Sequence, residues 1–175
     1  MKRGIALVAF VLAALGAHAQ DDTPRRFPAV SGQDLNGRTV NLPGDFSGPA
    51  TLVFVPFEMK QQGDVDSWHA FVQKLKSENP LLEAWELPTI SRSYLIMRFI
   101  IDNGMRSGIK DTAARASTIT LYIDVKEFTR SLGIANTQQV ATFVVTPAGE
   151  ILARVIGRFT EEGAAEISRA LNAVR

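Results

Sequence analysis

The sequence predicts an α/β fold in which helices cover both faces of a central mixed sheet, as in a three-layer sandwich. Residues 51–57 (TLVFVPF) are apolar at almost every position, which is typical of a central strand between two layers. The helix predicted after them has an apolar face formed by Trp68, Phe71, Val72 and Leu75 at three- and four-residue spacing. Strand and helix patterns then alternate to the end of the chain, and this alternation is typical of α/β proteins.

The first predicted element is an N-terminal hairpin. Residues 27–30 form an edge segment, and Asn36-Gly37 follows between two short strand patterns. Because Asn-Gly readily adopts two consecutive positive φ angles, we expect a type I′ turn at this point. Pro56 should end the strand at 51–57, since proline has no N–H to donate to a ladder.

The segment after that strand is predicted to be a polar loop and then a helix. Residues 58–63 form the loop, and Asp64 or Asp66 is expected to cap a helix that continues to about Ser77. Asn79-Pro80 should break this helix.

The middle of the chain is predicted to be a helical insert. Residues 82–90 form a second strand, interrupted by Pro88. Residues 94–101 (YLIMRFII) suit either a strand or a helix, but their length and the Asn103-Gly104 stop favour a buried helix. Residues 105–117, rich in glycine and charge, are expected to form a loop.

The last third has clearer patterns. Strands are predicted at 118–123, 140–146 and 151–156, and helices at 126–132 and 161–174. Gly133 is placed to end the first of these helices and Thr160 to cap the second.

The N-terminus has the pattern of a secretory signal peptide. Lys2 and Arg3 precede a 13-residue apolar run, and Ala17-His18-Ala19 gives a cleavage site of small residues. We therefore expect a signal peptide at 1–19, a disordered lead at 20–26 and one domain at 27–175. An uncleaved N-terminal anchor is the alternative. The expected location is the periplasm or the medium, with no membrane span after cleavage.

Composition limits the classes of partner. The chain has 175 residues, a formal net charge of +1 and no cysteine. This bulk charge does not indicate binding to nucleic acid or to an anionic membrane surface. Without disulfides, stability must come from the hydrophobic core, which a chain of this length can supply.

Two segments resemble the secreted thioredoxin-like proteins related to peroxiredoxins and cytochrome-maturation thioredoxins. Residues 34–57 (DLNGRTVNLPGDFSGPATLVFVPF) are similar to their opening hairpin and first core strand. Residues 131–171 (SLGIANTQQVATFVVTPAGEILARVIGRFTEEGAAEISRAL) are similar to their closing strand, hairpin and helix. The resemblance implies a thioredoxin-like three-layer sandwich over residues 27–175.

The redox residues of that family are absent. The resemblance places the dithiol at residues 59–62, which are MKQQ, and a cis-proline at Val140 or Ala141. Thiol–disulfide exchange and thiol peroxidase chemistry both require a thiolate. The sequence therefore predicts a redox-inactive protein.

The insert carries a second resemblance. Residues 92–124 (RSYLIMRFIIDNGMRSGIKDTAARASTITLYID), followed by the closing hairpin, are similar to the mitochondrial ATP synthase assembly factors and their bacterial relatives. Those proteins have a thioredoxin-like shape and need no dithiol. This resemblance implies an assembly factor.

Other chemistries have little support in the sequence. His69 is the one histidine after cleavage, and it has no recognisable Ser–His or Cys–His partner. Asp64 and Asp66 could offer oxygen atoms to a cation, but helix capping explains them more simply. No phosphate-binding or dinucleotide motif occurs. We therefore expect no catalytic residue, no metal and no cofactor.

The insert also contains regularly spaced arginines, Arg92, Arg98, Arg106 and Arg115. They could form a basic face for an acidic partner, or they could be ordinary solvated charges. Arg98 lies within the apolar run, so we expect it to snorkel or to pair with Asp102, four residues on.

The sequence thus predicts an exported protein that works by binding. The candidate binding residues are Lys60, Gln61, Gln62 and Trp68, at the predicted helix N-terminus, with the predicted insert helix as the other possible contact surface. The expected partner is another protein of the cell envelope. The alternative is an enzyme of unrecognised non-thiol chemistry that uses the same pocket.

Overall fold

A computed structural model describes residues 26–174, so the predicted signal peptide and most of the predicted lead lie outside the described residues. The strands are β1 (Val30–Asp34), β2 (Thr39–Leu42), β3 (Thr51–Val55), β4 (Glu83–Glu86), β5 (Thr89–Ser91), β6 (Ile119–Ile123), β7 (Ala141–Val145) and β8 (Ile151–Ile156). The helices are α1 (Gln62–Asp66), α2 (His69–Glu78), α3 (Arg98–Gly108), α4 (Thr112–Ala116), α5 (Val125–Ser131) and α6 (Glu161–Asn172). Two 3₁₀ segments, Met59–Gln61 and Arg92–Met97, precede α1 and α3.

The strands form two four-stranded sheets that one shared segment joins. The orders are β4-β3-β7-β8 and β2-β1-β6-β5. β4 and β5 are successive parts of the segment 83–91: β4 pairs in parallel with β3, and β5 pairs in parallel with β6. Between them, the Leu87 N–H donates to the Phe54 carbonyl at 2.7 Å and the Leu121 N–H donates to the Pro88 carbonyl at 2.9 Å. The β3, β4–β5 and β6 strands therefore run parallel, with their carboxyl ends at one edge.

The side chains of β3 show the predicted three layers. Leu52 and Phe54 pack on one face, in the cluster that also contains buried residues of α2 and α6. Val53 and Val55 point to the other face, where Phe128 of α5 is buried. Because successive side chains of a strand point to opposite faces, an apolar residue at every position requires a layer on each side. The mixed sheet with an N-terminal hairpin and a helical insert is confirmed.

The hairpin forms as predicted, but its turn is of a different type. Gly37 has a φ of 91°, whereas no residue other than glycine has a positive φ among the described residues, so Asn36 does not adopt the type I′ geometry. The register pairs Gln33 with Thr39. The Asp34 carboxylate accepts the Asn36 N–H at 2.9 Å and the Arg38 N–H at 2.8 Å. A buried carboxylate that satisfies both N–H groups explains why a longer turn replaces the two-residue one.

The segment after β3 is more helical than predicted. Residues 58–63 are not an open loop, because a 3₁₀ turn and the start of α1 occupy them. The predicted helix is divided into α1 and α2, and neither Asp64 nor Asp66 caps it: Gln61 and Trp68 hold the two N-cap positions. The predicted apolar face is confirmed, with Trp68, Val72 and Leu75 buried.

The insert is helical, but it is not buried. Residues 92–108 are continuous 3₁₀ and α-helix, so the chain passes through Asn103-Gly104 without stopping. No residue of α3 is buried. The predicted loop at 105–117 is instead the end of α3 and the short helix α4, which Asp111 caps by accepting the N–H groups of Ala113 and Ala114. The insert stays at the surface because polar contacts of Arg98, Asp102 and Arg106 hold α3 to the rest of the protein.

The closing elements agree with prediction to within about two residues. Gly133 has a φ of 62° after α5, and Thr160 caps α6 by accepting the Gly163 N–H at 3.1 Å. Arg26 forms an antiparallel bridge with Glu150, so the first described residue pairs with the last hairpin. Over residues 26–174, no helix combines the length and the apolar character that crossing a bilayer requires.

Candidate functional site

An open groove lies at the edge where the parallel strands end. Its volume is about 630 Å³, and it lies beside the 3₁₀ segment that starts the insert. Its walls are formed by Phe57 after β3, Ile90 and Ser91 of β5, and Tyr94. Loops that follow the carboxyl ends of parallel strands are where α/β folds most often bind ligands, so this groove is the candidate binding site.

Gln61 is hydrogen-bonded to two of the residues that line the groove. Its side chain is 2% exposed. The Oε1 atom accepts the Phe57 N–H at 2.7 Å, and Nε2 donates to the Thr137 carbonyl at 2.8 Å. Phe57 and Thr137 both line the groove, so the Gln61 amide ties together two of its walls. The sequence placed Gln61 among surface contacts, but its burial gives it a structural role there.

The other three predicted binding residues lie at different depths. Lys60 is exposed and forms an ion pair with Glu58 at 2.8 Å. Gln62 is exposed at the start of α1, where Nε2 donates to the Asp66 carboxylate at 3.0 Å. The structure thus places Lys60 and Gln62 on the surface of one turn.

Trp68, in contrast, is fully buried. Its ring lies 5.4 Å from that of Phe159 and 6.2 Å from that of Phe54, measured between centroids. The indole Nε1 donates to the Gly157 carbonyl at 3.3 Å. The expected flat apolar surface at this position is therefore absent, because the division between α1 and α2 turns Trp68 into the core.

A second groove, of about 270 Å³, lies between α2 and the insert. It is lined by Gln62, Asp66, His69 and Glu86, among others. Burial raises the pKa of the Glu86 carboxyl, and the nearby Asp66 carboxylate raises it further, while a hydrogen bond from Gln62 opposes them. A carboxyl with a raised pKa in a cleft is a feature of many acid–base sites and also of structural ones.

The insert is held to the sheet by polar contacts. Arg98 pairs with Asp102 at 3.2 Å, which confirms the predicted pair, and its guanidinium also donates to the Gln33 side chain. The Tyr122 hydroxyl donates to the other Asp102 oxygen at 2.9 Å. Burial raises the pKa of Tyr122 well above its ordinary value, and the hydrogen bond to Asp102 adds to this effect. Arg106 donates to the Leu35 carbonyl, so both ends of α3 are fixed by arginine.

The apolar side chains of residues 94–100 are exposed instead, whereas Ile101 and Met105 are half-buried. They form a surface that we call the apolar ridge, made of Tyr94, Leu95, Ile96, Met97, Phe99 and Ile100. Ile96 is 93% exposed and Phe99 is 78% exposed. The exposure of this surface could not be predicted, because the apolar run alone cannot show which side of a helix the sheet will take. The one sequence feature that argued against burial was Arg98, a charged residue within the apolar run.

The described residues hold no group of three or more histidine, aspartate or glutamate side chains placed to bind a metal. His69 is exposed on α2.

Comparison with known proteins gives a fold and no sequence family. No family model matches the chain, and no curated protein matches it either. The thioredoxin domain of a thiol-disulfide oxidoreductase from Bacteroides vulgatus is similar in structure, with a TM-score of 0.51, 22% identity and coverage of 87% of this chain and 98% of that one.

Two further solved structures are similar to the same extent. BsSco, a member of the Sco family of cytochrome c oxidase assembly proteins, has a TM-score of 0.54 and 16% identity, covering 86% of this chain and 94% of its own. The exposed lipoprotein thioredoxin of Streptococcus pneumoniae has a TM-score of 0.53 and 12% identity, covering 83% of this chain and 99% of its own.

These similarities identify a thioredoxin-like fold. Within that fold the chain is a cysteine-free protein, with Gln61 in the segment where the resemblance places the dithiol. Thiol–disulfide chemistry has no nucleophile here.

Proposed function

We propose that this protein is an exported, redox-inactive binding or assembly factor for another protein of the cell envelope. The observation that carries the proposal is the Gln61 clamp. A glutamine that is 2% exposed and hydrogen-bonded to both Phe57 and Thr137 keeps the groove in a fixed shape although the chain has no cysteine to use there. A preformed site with no reactive group suits binding better than catalysis, because preorganisation reduces the entropy cost of association.

The rim of the groove offers the contacts that such binding needs. Tyr94 is half exposed on its wall, and Met59, two residues after the wall residue Phe57, is 95% exposed. Lys60, next to Met59, adds an exposed polar side chain. Aromatic side chains and methionine are enriched at protein interfaces, where lysine is usually found at the rim.

The assembly role and the location have independent support of a coarser kind. One similar structure belongs to a family of cytochrome c oxidase assembly proteins, and another is an exposed lipoprotein. The signal-peptide pattern at 1–19 and the resemblance of residues 92–124 to ATP synthase assembly factors point in the same direction.

Site-specific photo-crosslinking in the cell tests this proposal. A photoreactive residue at Met59 should capture one defined envelope protein. The same residue at Leu81, which is 74% exposed but precedes β4 at the opposite edge of the sheet, should not. Equal capture from both positions, or from neither, would count against the proposal.

Redox inactivity is tested separately. The purified protein should leave insulin disulfides and peroxide unreduced, even with an excess of a thioredoxin reductant. Measurable turnover in either assay would overturn this part of the proposal, because no residue of the chain supplies a thiolate.

The second groove supports an alternative function. Glu86 and Asp66 line it together with His69, and the raised pKa of Glu86 would suit a general acid. An enzyme of non-thiol chemistry would show saturable turnover of a small molecule that Glu86→Gln abolishes without a loss of folding. The binding role predicts instead that Glu86→Gln leaves crosslinking at Met59 unchanged.

A further inference from the structure

The apolar ridge is exposed because specific contacts of charged residues fix the orientation of α3. The side of α3 that faces the sheet carries charged groups as well as the half-buried Ile101 and Met105. Arg98 contacts Gln33 and Asp102, and Asp102 contacts Tyr122. Arg106 reaches the Leu35 carbonyl on the same side. An amphipathic surface helix normally buries its apolar stripe and exposes its charges. Here charged groups occupy part of the buried side while Phe99 and Ile100 are exposed, so these apolar side chains are available to something other than this chain's own core.

The size of the ridge is that of an interface. Its six residues are adjacent along the chain and are between 44% and 93% exposed. Large side chains present roughly 200 Å² each, so the ridge offers on the order of 800 Å². That is comparable with the surface that one partner buries in a standard interface, and larger than the apolar patches of most soluble proteins.

Charge is segregated onto the same segment. Residues 92–115 contain five basic and two acidic side chains, a formal net charge of +3, whereas the other described residues contain ten basic and fourteen acidic ones, a net charge of −4. The small charge of the whole chain hides this separation. Arg92 and Lys110 are exposed and form no ion pair within residues 26–174. Arg115 donates to the carbonyl oxygens of Ile109 and Arg106, which leave its formal charge in place.

We propose that the apolar ridge docks this protein onto the surface of an anionic phospholipid membrane. A ridge of exposed aliphatic and aromatic side chains, with the exposed Arg92 and Lys110 in the same segment, has the chemistry of an interfacial membrane contact. Anionic headgroups attract the net positive charge of this segment. The contact is peripheral and requires no spanning segment.

A second copy of the chain is a poorer occupant. A two-fold contact would place two segments of charge +3 against each other, and like charges that meet across an interface oppose association. A protein partner would need an acidic rim that fits this particular surface, whereas a lipid surface deforms around it. The inference goes beyond the proposed function, because it sets where the protein works. Arg92 and Tyr94 belong to both surfaces, so the candidate groove opens next to the membrane contact.

Vesicle flotation tests the inference. The processed chain, isolated from cells that export it and checked by mass spectrometry, is mixed with vesicles of phosphatidylcholine, with or without phosphatidylglycerol. The protein should float with the vesicles that contain phosphatidylglycerol, and binding should weaken as salt is raised, since salt screens the headgroup charge. Pure phosphatidylcholine should bind it much more weakly.

Matched variants separate the ridge from a general effect. Ile96→Asp and Phe99→Asp should each reduce binding about ten- to a hundredfold, since each removes a large apolar side chain from the contact. Leu81→Asp makes the same change on the opposite edge and should bind as the unmodified protein does. Arg92→Glu should reduce binding about tenfold, whereas Lys74→Glu, an equal charge change on α2, should not.

Several outcomes would overturn the inference. One is no flotation of the unmodified protein; another is equal loss in Ile96→Asp and Leu81→Asp. A dimer in light scattering that Ile96→Asp dissociates, without vesicle binding, would identify a second copy as the occupant. Capture of a protein at Phe99 without vesicle binding would identify a protein. Pure vesicles contain no protein partner, so failure here leaves the crosslinking result at Met59 unaffected.

Discussion

Replacing Gln61 with alanine removes the clamp between two walls of the candidate groove. The change deletes the acceptor of the Phe57 N–H at 2.7 Å and the donor to the Thr137 carbonyl at 2.8 Å. It leaves these main-chain groups without their partner and opens a small space, because the lost side chain is 2% exposed. We expect Gln61→Ala to lower the free energy of unfolding and to loosen the groove.

The magnitude follows from the two hydrogen bonds. Each contributes about 1 kcal/mol net, and a main-chain group left unsatisfied in a partly buried site adds a further penalty of about 1–3 kcal/mol. A total loss of about 3–5 kcal/mol is therefore expected, which is a large part of the stability of a typical domain. Gln62→Ala is the matched control: its side chain is exposed and bonds the Asp66 and Glu86 carboxylates but no main-chain group, so it should cost less, about 1 kcal/mol or below.

Urea unfolding followed by tryptophan fluorescence measures both variants, since Trp68 and Trp85 are buried and report on the core. Crosslinking at Met59 then shows whether the groove has lost its shape. If Gln61→Ala unfolds within about 0.5 kcal/mol of the unmodified protein, the clamp does not stabilise the fold and the argument from it is wrong.

Further predictions concern Glu86 and two glycines, Gly32 in β1 and Gly104 in α3. The pKa of Glu86 is raised above its ordinary value of 4.5, so the folded protein holds this proton more tightly than the unfolded chain does. The contribution of this carboxyl to the free energy of unfolding therefore falls as the pH rises from 4.5 through the pKa of the folded state. Glu86→Gln should therefore be more stable than the unmodified protein at neutral pH. The difference between their urea midpoints should become smaller as the pH is lowered towards about 4. A difference that does not change with pH would contradict the raised pKa of Glu86. A Cβ at Gly32 would lie 2.5 Å from Ile119 and 2.8 Å from the Thr120 carbonyl oxygen, so Gly32→Ala should cost about 1–3 kcal/mol in urea unfolding. Gly104, in the middle of α3, has open space at this position, so Gly104→Ala should stabilise by about 0.5–1 kcal/mol, and the opposite order of the two variants would contradict the packing described.

Much of the fold could be predicted because its signals are local. The apolar run of β3, the spacing of Trp68, Val72 and Leu75, and the closing strand–hairpin–helix each depend on near neighbours in sequence. The turn at Asn36-Gly37 could not be assigned in the same way. Its type depends on the buried Asp34 carboxylate, whose competition for two N–H groups is visible only in three dimensions.

The candidate site was predicted less well, because its residues are set by tertiary contacts. Gln61 and Trp68 look like surface residues of a polar loop, but one bonds Thr137 and the other Gly157, both distant in sequence. The apolar ridge was expected to be buried, since hydrophobicity predicts burial and cannot predict which side of a helix the sheet will take. Arg98 was the informative residue. Its predicted pairing with Asp102 is confirmed, and that pair faces the sheet.

Arg98 has a consequence for the chain before it folds. Residues 94–101 form an eight-residue window of β-branched, aromatic and other apolar side chains in which Arg98 is the one charge. Uncharged windows of this kind pair readily into cross-β aggregates, and a single charge inside them acts as a gatekeeper. The same guanidinium that seats α3 on the sheet in the folded protein therefore protects the unfolded chain. A substitution such as Arg98→Leu would remove the contacts of Arg98 with Asp102 and Gln33 in the folded protein and the only charge of this window in the unfolded chain. We expect aggregation during synthesis together with weaker attachment of α3 to the sheet.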